Sequence, residues 1–201
     1  MKFEELFENP IEEITRRGFL KGLGATALGF VPKAPSLEKD LPPEPEKPKP
    51  EPKPVDPIHQ KMVDRITDKY DVEDELANTV VELAHKYQKP GFPTAKDILA
   101  VIGVESSFDP DAVSGLSIDP AVGLMQVRPG IWNIDKSELQ GDPERQIATG
   151  SDILHQYFKK SKNKNAALAL YNVGPTEYKK GNTAENYVRK FYKELRLYSG
   201  I

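Results

Sequence analysis

Glu105 is a carboxylate where a helix should carry an apolar side chain. The stretch from Thr94 to Phe108 reads as a helix, and Ile98, Val101, Ile102 and Glu105 fall at i, i+3, i+4 and i+7 on one face. Three of these side chains favour burial. The fourth costs free energy to bury in its charged form. Desolvation raises a carboxyl pKa toward neutrality, which suits a general acid. A second cluster of chemically able residues follows at Gly123-Leu-Met-Gln126. There a glycine permits close backbone approach, Leu124 and Met125 offer an apolar lining, and Gln126 can donate and accept hydrogen bonds. A third lies at Tyr171 and Asn172, ahead of the helix-breaking pair Gly174-Pro175, and a fourth at Tyr187 near the start of a last helix.

Helices must position these groups. Ile58 to Tyr70 and Val72 to Tyr87 read as two amphipathic helices, the second with Leu76, Val80, Leu83, Ala84 and Tyr87 on one side. The Glu105 helix is opened by a Thr94-x-x-Asp97 capping pattern. Asp109-Pro110 is expected to stop it one turn past the carboxylate, since the residue before proline is pushed out of helical geometry. A loop rich in Pro, Gly, Asp and Ser runs to about residue 130. Helical segments return near 143–160, 164–172 and 183–198. No convincing alternating strand and no internal repeat appears, so residues 58–201 are expected to form one mainly α domain.

Two further zones precede it. In residues 1–31, Arg16-Arg17-Gly-Phe19-Leu20-Lys21 is followed by a short glycine-rich apolar run ending at Val31, too short to span a bilayer as an ordinary helix. This zone resembles a twin-arginine export signal, which implies a periplasmic or cell-envelope location; the alternative is an amphipathic helix that contacts a membrane or a partner. Residues 32–57 carry proline at every second or third position with Glu and Lys between, which reads as an extended, solvated tether.

Composition removes other classes. The chain has 28 basic against 31 acidic residues, so nucleic-acid binding has no electrostatic support. It has no cysteine, which excludes disulfides, thiolate metal sites and a cysteine nucleophile. His59, His85 and His155 are scattered singly, without metal-ligand spacing. No cofactor is implied, and a monomer is the expectation.

Taken in order, Glu105-Ser-Ser-Phe108-x-Pro110-x-Ala112-x-Ser114, Gly123-Leu-Met-Gln126, Ala167-Leu-x-x-Tyr171-Asn172-x-Gly174-Pro175 and Tyr187-Val188 resemble the soluble lytic transglycosylase domain family, a relative of goose-type lysozyme. The resemblance covers residues 75–195. It implies a lysozyme-like helical domain acting on peptidoglycan glycan strands, with Glu105 as sole catalytic acid and base. It further implies that Ser114 and Gln126 bind the sugar at the cleavage point, that Met125 lines the same cleft, that Tyr171 orients the N-acetyl group or the glutamate with Asn172 beside it, and that Tyr187 hydrogen-bonds near the carboxylate. Two departures stand out. Ser117-Ile-Asp-Pro120 lengthens the loop after Ser114, with Pro120 where the family has glycine, and Gln146-Ile147 stands where Asn-Ile is common, a change expected to affect packing.

Glycoside cleavage usually uses two carboxylates. The nearest others are Asp109, Asp111 and Asp119, each beside a proline in a loop where a turn role is expected. A single carboxylate suffices where the substrate's acetamido oxygen supplies the nucleophile, which leads to a 1,6-anhydro product without water. The competing readings are a goose-lysozyme-like hydrolase, in which Asp109 or Asp119 positions water, and a non-enzymatic wall-binding module. A phage virion protein that opens the wall would use the same domain.

Overall fold

A computed structural model describes residues 56–201. The signal-like segment 1–31 and all but the last two residues of the proline-rich segment lie outside the described residues. Those last two belong to the domain. Pro57 takes the first position of α1 (Pro57–Tyr70), where its missing N–H costs nothing, and the Asp56 carboxylate accepts from Ile58 N at 2.9 Å.

The remaining helices are α2 (Asp74–Tyr87), α3 (Ala95–Glu105), α4 (Lys136–Leu139), α5 (Pro143–Ser161), α6 (Lys164–Lys179) and α7 (Glu185–Leu195), followed by a 3-10 turn at Arg196–Tyr198. Among the described residues no strand forms. Two isolated antiparallel bridges, Val113 with Val122 and Val122 with Val127, pleat the loop between α3 and α4. The single turn α4 has too few residues to carry a periodic signal.

α3 runs through the middle of the domain, packed between α2 and α7. Ile98, Leu99, Ala100, Val101 and Ile102 are fully buried in succession, so this helix is apolar on nearly every side. Each large aliphatic side chain there stabilises the fold by roughly 2 kcal/mol. Its start is fixed by the expected capping box. Thr94 Oγ1 accepts from Asp97 N at 3.3 Å, and Asp97 Oδ2 accepts from Thr94 N at 2.9 Å. Asp97 is buried, and its other oxygen takes Lys164 Nζ at 2.8 Å, which ties the start of α3 to the start of α6.

The end of α3 differs from expectation. The helix stops at Glu105 itself, not a turn later. Ser107 and Phe108 both take left-handed backbone angles (φ 54° and 67°), which turns the Phe108 ring into the core, 4.8 Å from the Tyr70 ring. Burial of a phenylalanine outweighs the cost of the left-handed backbone. Asp109 therefore acts in the next turn and does not end the helix: its Oδ1 accepts from Asp111 N at 2.9 Å.

α6 also departs from the sequence expectation of an end before Gly174-Pro175. Gly174 leaves helical geometry (φ 75°, ψ 167°), and the chain resumes a helical path from Pro175 to Lys179. The pair thus kinks the element between two short helices. The wall of the functional cavity lies at this kink.

Three helices converge on Gly103. A side-chain carbon there would lie 2.5 Å from the Tyr70 hydroxyl and 3.1 Å from Glu194 Oε2. Tyr70 on α1 donates to Glu194 on α7, and Lys69 Nζ reaches the same carboxylate at 2.5 Å. The absence of a side chain on α3 lets α1 and α7 join across it.

Candidate active site

Glu105, the last residue of α3, lines a cavity of about 600 Å³. Leu170 to Thr176 around the Gly174 kink line it as well, together with Trp132, Ile153 and Tyr157. Burial pushes the Glu105 carboxyl up from 4.5 to about 7, and one hydrogen bond works against the rise. That bond comes from Tyr187, whose hydroxyl donates to Glu105 Oε1 at 2.6 Å. Tyr187 is itself buried, on the first turns of α7. Burial, and then the neighbouring carboxylate, hold its phenol well above the ordinary value, so it remains a donor. The same causes hold Tyr171 up.

The segment from Ala112 to Val127 carries the polar lining. It folds as a tight ribbon: Ser114 N donates to Ala121 O at 2.9 Å, Gly123 N to Ala112 O at 2.8 Å, and Val122 N to Val127 O at 2.9 Å. Ser106 Oγ, one residue past the carboxylate, donates to Leu124 O at 2.9 Å and locks the ribbon to the end of α3. Gln126 lines the cavity with a left-handed backbone (φ 48°). Its Nε2 donates to Ala112 O and to Gly123 O, both at 3.0 Å. Both amide hydrogens are thereby engaged, and the carbonyl Oε1 is left as the polar atom available to a ligand. The side chain alone can donate and accept; the fold leaves it the acceptor role. Ser114 lines the cavity too, and its hydroxyl oxygen accepts from Ala121 N at 2.8 Å. The proton of that hydroxyl is available to a ligand.

Tyr171 and Asn172 lie on the cavity wall as part of α6. The Tyr171 hydroxyl donates to Met125 O at 2.7 Å, so its direct partner is the ribbon and not the carboxylate. Met125 departs from expectation. Its side chain was expected to line the cleft, but it is fully buried and does not line the cavity. It packs against Gly150 on α5, where a side-chain carbon would stand 2.5 Å from the Met125 sulfur. Its contribution to the site is the carbonyl that Tyr171 holds.

Gln146, the departure expected to affect packing, is a buried amide on α5, and its hydrogen-bond partners are what the sequence did not show. Its Oε1 accepts from Leu124 N at 2.8 Å, while Nε2 donates to Pro110 O at 2.9 Å and Leu139 O at 2.8 Å. One side chain therefore pins the ribbon, the turn after α3 and the end of α4. Gly123 passes directly beside it. A side-chain carbon at Gly123 would sit 2.1 Å from the Gln146 amide carbon, and the residue has φ 74°. A buried amide with three partners needs a polar residue inside an apolar helix face, and that was the signal available at position 146.

The other acids near Glu105 are held elsewhere. Asp109 serves its turn, and Asp119 accepts from Gly130 N at 2.6 Å and Ile131 N at 3.2 Å. Among the described residues that line the cavity, Glu105 is the one acid.

A helical domain with a single desolvated carboxyl at the end of its central helix, facing a polar cleft, has the architecture of a lysozyme-like enzyme. A family model described as Transglycosylase SLT domain matches residues 83–193, and the chain belongs to that family, whose activity is peptidoglycan cleavage of the lytic transglycosylase type. No curated protein and no solved structure gives a significant match.

Proposed function

We propose that the chain cleaves the β-1,4 bond between N-acetylmuramic acid and N-acetylglucosamine and leaves a 1,6-anhydromuramic end, with Glu105 as its only acid and base. The observation that carries this reading is the absence of a second acid from the cavity lining beside a carboxyl raised to about 7. Two-carboxylate schemes need a nucleophile or a water-activating base from the protein. Here the muramic 2-acetamido oxygen takes that part. It attacks C1 as Glu105 gives its proton to the leaving glycosidic oxygen. Glu105, now ionised, accepts the proton of the C6 hydroxyl, whose oxygen displaces the acetamido oxygen from C1 and closes the ring. No water is consumed.

The neighbouring groups have roles consistent with this sequence. Tyr187 stabilises Glu105 while it is ionised between the two steps. Gln126 Oε1 accepts from the acetamido N–H, which steers the acetamido oxygen toward C1. The Ser114 hydroxyl donates to the sugar, and Asn172 lines the same cavity. Tyr171 acts through Met125 O as a positioning residue for the Gln126 ribbon.

Mass spectrometry of the soluble products tests the reading. Anhydro ends, lighter by one water than reducing ends, support it. Reducing ends alone would assign the chain to hydrolysis. We further propose that the twin-arginine-like segment exports the domain to the periplasm and that the proline-rich segment ahead of Asp56 tethers it; fusion of residues 1–40 to a reporter tests the route, and a reporter retained in the cytoplasm overturns it.

A further inference from the structure

The lengthened loop after Ser114 builds a feature that the cleavage chemistry does not use. Asp119, on that loop, fastens it to the turn that follows the ribbon through Gly130 N and Ile131 N. A side-chain carbon at Gly130 would stand 2.8 Å from the Asp119 carboxylate, so the two segments meet closely. Arg128 folds back onto the same residue. Its Nε lies 3.2 Å from Asp119 O and 3.4 Å from Asp119 Oδ2. The guanidinium is thus fixed by one edge on the cavity wall. Among the described residues, no acceptor engages its two terminal NH2 groups.

Apolar side chains share the cavity lining with it. Five large apolar residues are exposed among the described residues; three of them, Leu116, Ile118 and Ile131, lie on these two segments, and a fourth, Val113, directly precedes Ser114. Leu116 and Ile131 line the cavity together with Arg128. The cavity edge therefore combines one oriented cation with alkyl surface. The sugar rings and acetamido groups of the glycan are neutral, so they offer a guanidinium hydrogen-bond acceptors but no opposite charge. The anionic groups of a peptidoglycan strand are carboxylates, on the lactyl ether of the muramic residue or on the peptide attached to it, and both come with methyl groups. A planar fork of N–H donors matches a carboxylate in two parallel bonds.

We propose that Arg128, held in place by Asp119, is a specificity-determining residue that binds a carboxylate of the muramyl lactyl–peptide substituent, with Leu116 and Ile131 against its alkyl groups. This inference rests on the reading of the chain as a peptidoglycan-cleaving enzyme.

The test compares three preparations of one glycan: strands with their peptides, strands stripped by an amidase so that the lactyl carboxylate is free, and strands whose carboxyl groups are all capped as amides. KM and kcat are measured separately for wild type, Arg128→Gln and Arg128→Lys. Wild type should show a KM roughly tenfold lower on a carboxylate-bearing strand than on the capped one, the size of a charge-assisted pair. The uncapped preparation that carries the preference identifies which carboxylate is read. Arg128→Gln should erase the preference through KM, and Arg128→Lys, which keeps the charge but not the fork, should retain part of it. Added salt should raise the wild-type KM on uncapped strands only, a readout that needs no variant. Equal wild-type KM on all three strands, or a preference that survives Arg128→Gln, overturns this inference and leaves the enzymatic reading standing. A kcat loss in Arg128→Gln that is equal on all three strands assigns the residue to loop structure and also overturns it. Wild type that cleaves none of the three overturns both.

Discussion

The Tyr187 hydroxyl lies 2.6 Å from Glu105 Oε1, although 82 residues separate them in the chain. The bond joins the start of α7 to the end of α3 and is the one hydrogen bond that opposes the desolvation of the carboxyl.

Glu105→Gln is expected to abolish cleavage and to stabilise the fold at alkaline pH. A carboxyl raised from 4.5 to about 7 binds more protons folded than unfolded in that window, so stability falls as pH rises from 4.5 and levels off above 7. At about 1.4 kcal/mol per pH unit, the ionised side chain costs the native state about 3 kcal/mol. The variant should therefore exceed wild type in denaturant unfolding at pH 8 by up to this amount, with the gap closing by pH 4. A gap of the same size at both pH values would contradict the burial account.

Cleavage should decline above pH 7 with the slope of a single proton, since the general acid must be protonated to start. Removing the Tyr187 hydroxyl takes away a bond that favours the ionised form. Tyr187→Phe should accordingly move this alkaline limb upward by about one pH unit. A pH profile of kcat/KM measures it, and a downward shift would show that the bond favours the neutral acid instead.

Gln146→Ala leaves Leu124 N, Pro110 O and Leu139 O without their side-chain partners. A loss of about 2–4 kcal/mol in unfolding free energy is expected. Activity should fall further than stability alone explains, because the ribbon that carries Gln126 loses its anchor. Glutamine to asparagine at this position shortens the reach and should recover only part of either quantity.

Gly123→Ala meets two obstacles, a left-handed backbone and a contact 2.1 Å from Gln146. It should destabilise by more than 2 kcal/mol. The double variant Gly123→Ala with Gln146→Ala tests whether the contact dominates: if so, the pair should be less destabilised than the sum of the singles.

Repetition within helices made much of the fold legible. α1, α2, α5 and α7 follow apolar faces, and Thr94-x-x-Asp97 marked the start of α3 within one residue. Glu105 was legible for the same reason, as a charge on a buried stripe. Contacts between distant segments leave no such trace. Nothing periodic links Tyr70 to Glu194, Asp119 to Gly130, or Gln146 to Leu124. The end of α3 was misread because Asp109-Pro110 was the visible stop signal, whereas the burial of Phe108 decided the matter. Met125 was not legible because an apolar residue beside a polar one can face either way, and the space above Gly150 takes its side chain.

The Tyr70–Glu194 clasp fastens α1 to α7, the helix that presents Tyr187 to Glu105. The seat of the phenol is thus held from two directions, by α3 along its length and by α1 near its far end.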